Sequence, residues 1–156
     1  MKISVIGLGF VGLSLAVTNA TKGFKTIGVD INDLKINDLK KGKPGFFEPQ
    51  LNKKLKDAIN SNNISFTSNF HDAINNSDIT FLTVGTPPNK TGNIDLKFIK
   101  NASNQIFNEL KTKKKYHLLV VKSTLSPSTT KNTILPIFKK IIQSKKMDVV
   151  VNPEFL

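Results

Sequence analysis

Six short runs of β-branched and aliphatic residues punctuate this chain, and helix-spaced segments fill the stretches between them. "KISVIG", "KTIGVD", "ISFTS", "DITFLTVG", "YHLLVVKST" and "MDVVVN" read as strands. "VGLSLAVTNATKG", "NDLKINDLKKG", "EPQLNKKLKDAINS", "FHDAINNS", "LKFIKNASNQIFNELKT" and "SPSTTKNTILPIFKKIIQS" read as helices. This alternation restricts the topology severely. Strand–helix–strand units cross over with a right hand, and the strands they join run parallel. Such strands need both faces covered. The expected architecture is a single α/β domain over residues 1–156, a doubly wound parallel sheet with no internal repeat or long linker.

Local punctuation refines the elements. Gly23 and Gly42 stop the first two helices, Pro49 is expected in the first turn of the third, and Pro127 opens the last. Apolar residues at 96, 99, 102, 106, 107 and 110 mark the buried face of the longest helix. The lysines of "KTKKKYH" favour the negative end of that helix. Val149–Val151 reads as a buried strand that Asn152 and Pro153 terminate, carrying Glu154 just past its carboxyl end.

Composition excludes several chemistries. The chain has no cysteine, so it supplies neither a thiolate metal site nor a cysteine nucleophile. His71 and His117 lack metal-ligand spacing, and no metal site is expected. The formal net charge is +12, yet every basic residue is Lys. Readers of nucleic acid rely on the planar Arg fork, so this excess reads as a solvated lysine surface. It still favours an anionic, phosphate-bearing ligand. No apolar run reaches the length that spans a bilayer. With no secretory leader after Met1-Lys2, a cytoplasmic location is expected.

The sharpest local signal is Gly7-Leu8-Gly9-Phe10-Val11-Gly12, closing the first strand and opening the first helix. Asp30 stands at the end of the second strand, which supplies the context a dinucleotide fingerprint requires. Gly7 permits the tight turn, Gly9 lets backbone approach a pyrophosphate, and Gly12 lets the helix pack closely. The helix amides and dipole then face the phosphates. Asp30 accepts from the adenine ribose hydroxyls and repels the 2′-phosphate of NADP. Lys35 either reaches the adenosine end of the ligand or is one more surface lysine.

Two further loops gather at the same sheet edge. "FLTVGTPPN" presents Thr86 as a compact donor and acceptor for ribose or nicotinamide, or as a cap for backbone groups. "VVKSTLSPSTT" presents Ser123 and Thr124, which cap the next helix or hold substrate. Glu154 follows the sixth strand in the corresponding place.

Together, "KISVIGLGFVGLSLA", "GVDIN", "FFEPQL", "VGTPPN", "VKSTLSPSTT" and "VNPEFL" resemble the NAD-binding domain of the UDP-glucose/GDP-mannose dehydrogenase family, along the whole chain. "NPEFL" looks more like its UDP-glucose and GDP-mannose branches than its N-acetylmannosamine branch. The resemblance implies a Rossmann-like fold and NAD as cofactor, contacted by Gly7, Gly9, Phe10, Val11, Gly12, Asp30, Lys35, Thr86, Thr124 and Glu154. Thr124 and Glu154 are also implied to border the reacting carbon, with Glu154 assisting water. The implied reaction takes the C6 alcohol of a sugar nucleotide, UDP-glucose first, to a carboxylate with two NAD⁺ through a cysteine adduct. Phe10 stands where the family has Tyr, and Gln50 and Ser128 stand where it has Gly. Its catalytic Lys, Asn and Cys, its linking helix and its sugar-nucleotide domain have no counterpart here, so the chain reads as a fragment, inactive alone, of an enzyme that is homodimeric at full length. A stand-alone dinucleotide-binding module without chemistry, or a UDP-N-acetylmannosamine-type enzyme, is the competing expectation.

Overall fold

The computed structural model describes residues 1–89, 92–126 and 128–154. Pro127, expected to open the last helix, and Phe155 and Leu156 of the closing motif lie outside the described residues, as do Lys90 and Thr91. The strands are β1 (Lys2–Ile6), β2 (Lys25–Val29), β3 (Ile64–Thr67), β4 (Ile79–Leu82), β5 (His117–Val121) and β6 (Met147–Val151). They form one sheet in the order β3-β2-β1-β4-β5-β6, every pair parallel. Crossovers carry α1 (Phe10–Thr21), α2 (Asp33–Lys40), α3 (Leu51–Asn60), α4 (Phe70–Asn75), α5 (Lys97–Leu110) and α6 (Leu135–Gln143). This is the doubly wound, Rossmann-like topology. The chain leaves mid-sheet at β1, winds out to β3, then returns to β4 on the other side of β1. Strand order therefore reverses between β1 and β4, which opens a crevice at their carboxyl ends.

Two apolar cores cover the two faces, as strand periodicity demands. On one, Leu13, Ala16 and Val17 of α1 and Leu51 and Leu55 of α3 pack against Ile3 and Val5. On the other, Ile74, Ile99, Ile106 and Phe138 pack against Ile6, Leu82 and Leu119. Each fully buried side chain of this size stabilises the fold by about 1.5–3 kcal/mol. Gly12, Ala16 and Ala20 are also buried on α1, and their small size brings that helix close to the sheet. Asn32 and Asn69 cap α2 and α4, accepting from the amides of Lys35 at 3.1 Å and His71 at 2.8 Å.

Three local expectations are corrected. The third helix starts at Leu51, after Pro49, because Gln50 adopts a left-handed conformation (φ 66°) that no helical residue shares. The last helix is not uniform: a π-helical turn over Thr130–Ile134 precedes α6. Pro136, at the start of α6, lacks an amide, and the wider turn closes instead through the Leu135 N–H, which donates to Thr130 O. Finally, β6 is not a buried strand. It pairs only with β5, and at this sheet edge Val150 and Val151 are 45% and 50% exposed.

Candidate functional site

The turn from β1 to α1 is shaped by contacts on every side but one. Gly7 has φ 96°, and a Cβ there would lie 2.9 Å from Val84 Cα. A Cβ on Gly12 would lie 1.9 Å from the Gly7 carbonyl oxygen. Thr83, at the end of β4, fastens the turn: its hydroxyl lies 2.9 Å from Ile6 O and 2.7 Å from Gly7 O, to which it donates. Gly9 differs from both. A Cβ there would meet nothing within 4 Å, so the backbone faces open space. Gly9 also caps α1 without any side-chain acceptor, so the first amides of the helix take no bond from the capping residue's side chain.

Asp30 leaves the end of β2 and is tied on three sides. Its Oδ2 accepts from the Leu8 amide at 3.1 Å and from Lys35 Nζ at 2.7 Å, while Oδ1 accepts from the Asn32 amide at 3.1 Å. Only 10% of its side chain is exposed. One end of the glycine loop is thus pinned by a carboxylate from the neighbouring strand. Gly9, Asp30 and Lys35, with Phe98, Ala102 and Gln105 of α5, line a cleft of about 560 Å³.

On the other side of the glycine turn, Val11, Thr86, Lys122, Thr124 and Glu154 line a second cleft of about 370 Å³. Both clefts are walled by Thr83, Val84 and Gly85, so they adjoin at the end of β4 as the two parts of a groove. Its far wall is a relay between loops. The Thr86 hydroxyl donates to Thr124 O at 3.1 Å, and the Thr124 hydroxyl donates to Glu154 O at 2.7 Å. The Glu154 amide donates to Lys122 O at 3.3 Å, and Lys122 Nζ lies 2.6 Å from Glu154 Oε2. Ser123 turns inward, its hydroxyl donating to Val84 O at 2.7 Å.

Most of the side chains singled out in the sequence therefore meet along one groove. Phe10 does not: its ring packs on Phe46, centroids 4.9 Å apart, leaving only its backbone at the helix start. Gly12 is buried beneath the turn and acts through packing. Sequence reasoning overlooked Thr83 and gave Lys122 no role of its own. A lysine ending the apolar run "LLVV" was the available signal for the second. Among the described residues no group of three or more His, Cys, Asp or Glu gathers to hold a metal, and no helix is long and apolar enough to cross a membrane.

The room above Gly9, the open start of α1 and the acid ending β2 have the form of a dinucleotide-binding turn. Comparison with known proteins agrees. The model of the UDP-glucose/GDP-mannose dehydrogenase family, NAD binding domain, matches residues 1–156. GDP-mannose 6-dehydrogenase of Pseudomonas putida is 36% identical, its match covering all of this chain and 36% of that protein. A GDP-mannose dehydrogenase from Pseudomonas aeruginosa, solved as a ternary complex, superposes with a TM-score of 0.95 at 34% identity, over 100% of this chain and 36% of that one. A UDP-glucose dehydrogenase from Pyrobaculum islandicum gives 0.92 at 36% identity, over 99% and 36%. The chain thus spans little more than a third of the length of these relatives. It belongs to the UDP-glucose/GDP-mannose dehydrogenase family, whose NAD binding domain it forms.

Proposed function

We propose that this chain is the cofactor half of an enzyme that oxidises the C6 alcohol of a sugar nucleotide to a carboxylate, with UDP-glucose or GDP-mannose as the substrate. The carrying observation is the pair of adjoining clefts, one lined by Asp30 and Gly9 and the other by Val11, Thr124 and Glu154. In the balanced reaction the carbon gives up two hydrides, one to each of two NAD⁺. It gains one oxygen from water, and three protons are released. Bound NAD⁺ supplies the hydride acceptor.

The residues of this chain do the holding. The α1 amides and the Gly9 backbone bind the pyrophosphate, and Asp30 accepts from the ribose hydroxyls while its charge excludes a 2′-phosphate. Lys35, already paired with Asp30, borders the adenosine end. Thr86 and Thr124 spend their protons on backbone carbonyls, which leaves their oxygens as acceptors in the second cleft. Glu154 offers a carboxylate there that takes a proton from water as the acid product forms. The thiol that the family resemblance implies is not among these residues, which contain no cysteine.

Two measurements test the reading. NADH titrated into the 156-residue chain is expected to bind saturably and more tightly than NADPH, and absence of binding at millimolar NADH would sink it. A full-length enzyme carrying this domain is expected to yield two NADH per sugar nucleotide consumed. Release of an aldehyde with a single NADH would reject the four-electron reaction.

A further inference from the structure

Lys122 is unlike the other lysines of this chain. It follows β5 directly and is only 9% exposed, while most of the described lysines lie at the surface. Its ammonium lies 2.6 Å from Glu154 Oε2 and 3.2 Å from Asn152 Oδ1. The segment it reaches is already fastened to the end of β5. Asn152 N–H donates to Val121 O at 2.9 Å, and Glu154 N–H donates to Lys122 O at 3.3 Å. The backbone of Glu154 is thus placed without the Lys122 side chain, and what the ammonium adds is the direction and charge of the carboxylate. A buried ammonium is costly unless paired, so the contact is not an incidental surface bridge.

We infer that Lys122 is a positioning residue that clamps the Glu154 carboxylate at the end of the groove and cancels its charge, so that the oxidised and reduced nicotinamide rings meet an electrically neutral wall. The inference rests on reading the second cleft as the nicotinamide end. The ring of NAD⁺ carries a positive charge and that of NADH none. A bare carboxylate on this wall favours NAD⁺, and a bare ammonium favours NADH. Only the pair is indifferent. A reaction that exchanges NADH for NAD⁺ between its two hydride transfers gains from that indifference, because neither form is selectively retained.

The test compares NAD⁺ and NADH dissociation constants by calorimetry on the 156-residue chain at low ionic strength. Lys122→Met keeps the side-chain volume and is expected to shift the ratio about ten-fold toward NAD⁺. Glu154→Gln is expected to shift it the opposite way by a similar factor. Lys122→Arg should keep the ratio of the unsubstituted chain, and the double variant Lys122→Met, Glu154→Gln should restore it. Single variants that weaken both ligands in parallel, or shift the ratio in the same direction, would overturn the inference and leave the cofactor site standing. If the unsubstituted chain binds neither ligand, the proposed function fails first and the inference with it. Glu154 is more exposed than Lys122, so Glu154→Gln keeps the opposite-shift test open even if Lys122→Met does not fold.

Discussion

A β-carbon on Gly12 would lie 1.9 Å from one backbone oxygen and 2.5 Å from Thr83 Oγ1, whereas one on Gly9 would touch nothing. These two glycines share a motif and do different work. Gly12→Ala forces α1 away from β1 and the end of β4, and is expected to cost about 3 kcal/mol, lowering Tm by roughly 10 °C. Gly9→Ala fills only empty space, so stability should change by less than about 1 kcal/mol. On the proposed function the new methyl takes the pyrophosphate's place, and NADH affinity should fall at least about ten-fold. Thermal melts and NADH titrations on the two variants separate the roles. Equal losses of stability would contradict the assignment.

At the scale of elements, the approach to α3 shows how a turn sets a helix start. Leu51 N–H donates to Glu48 O at 3.1 Å, and Gln50 has φ 66° and ψ −7°. These are marks of a type II turn with Pro49 at its second position and Gln50 where glycine is favoured. Placing Pro49 inside the helix was reasonable from its residue type, but the same proline serves a turn equally well. Gln50→Gly removes the left-handed penalty of a side chain. It is expected to stabilise the protein by about 0.5–1 kcal/mol, raising Tm by roughly 2–4 °C. A lowered Tm would show that the Gln50 side chain contributes more than its backbone costs.

Across the whole molecule, the two ends of the sheet carry different chemistry. Opposite the groove, at the amino ends of the strands, lies a buried polar chain. Lys113 Nζ donates to the carbonyls of Ile74 and Ser77 and to His117 Nδ1, the last at 2.9 Å. His117 Nε2 lies 2.8 Å from Thr80 Oγ1, which lies 2.6 Å from Ser4 Oγ. An ammonium only donates, so Nδ1 accepts and the imidazole is neutral with its proton on Nε2. Burial, reinforced by the charge of Lys113 and opposed by the Ser77 backbone and then Asp78, lowers the His117 pKa from 6.5 to about 4. The unfolded chain therefore takes up a proton at pH values where the folded chain does not. Stability conferred by the neutral ring is complete above pH 6.5 and declines as pH falls toward 4, by up to about 3 kcal/mol. Urea melts between pH 7 and 5 should show this slope, reduced in His117→Gln. NADH affinity should be untouched by that substitution, since the chain lies at the opposite end of the sheet.

The sequence by itself determined the strand count, the parallel sheet, the phosphate turn and the acid ending β2, because each is written in spacing or in residues near one another along the chain. Periodicity reports which face of an element is apolar, and a glycine pattern reports backbone geometry within a few residues. Tertiary structure alone decided which lysines matter. Lys122 finds Glu154 thirty-two residues later, and Lys113, read as a helix-end lysine, reaches into the polar chain around His117. It also decided that β6 is an exposed edge and that two clefts share a wall at the end of β4. Burial and charge pairing depend on neighbours brought together through space, and no local pattern encodes which neighbours those are.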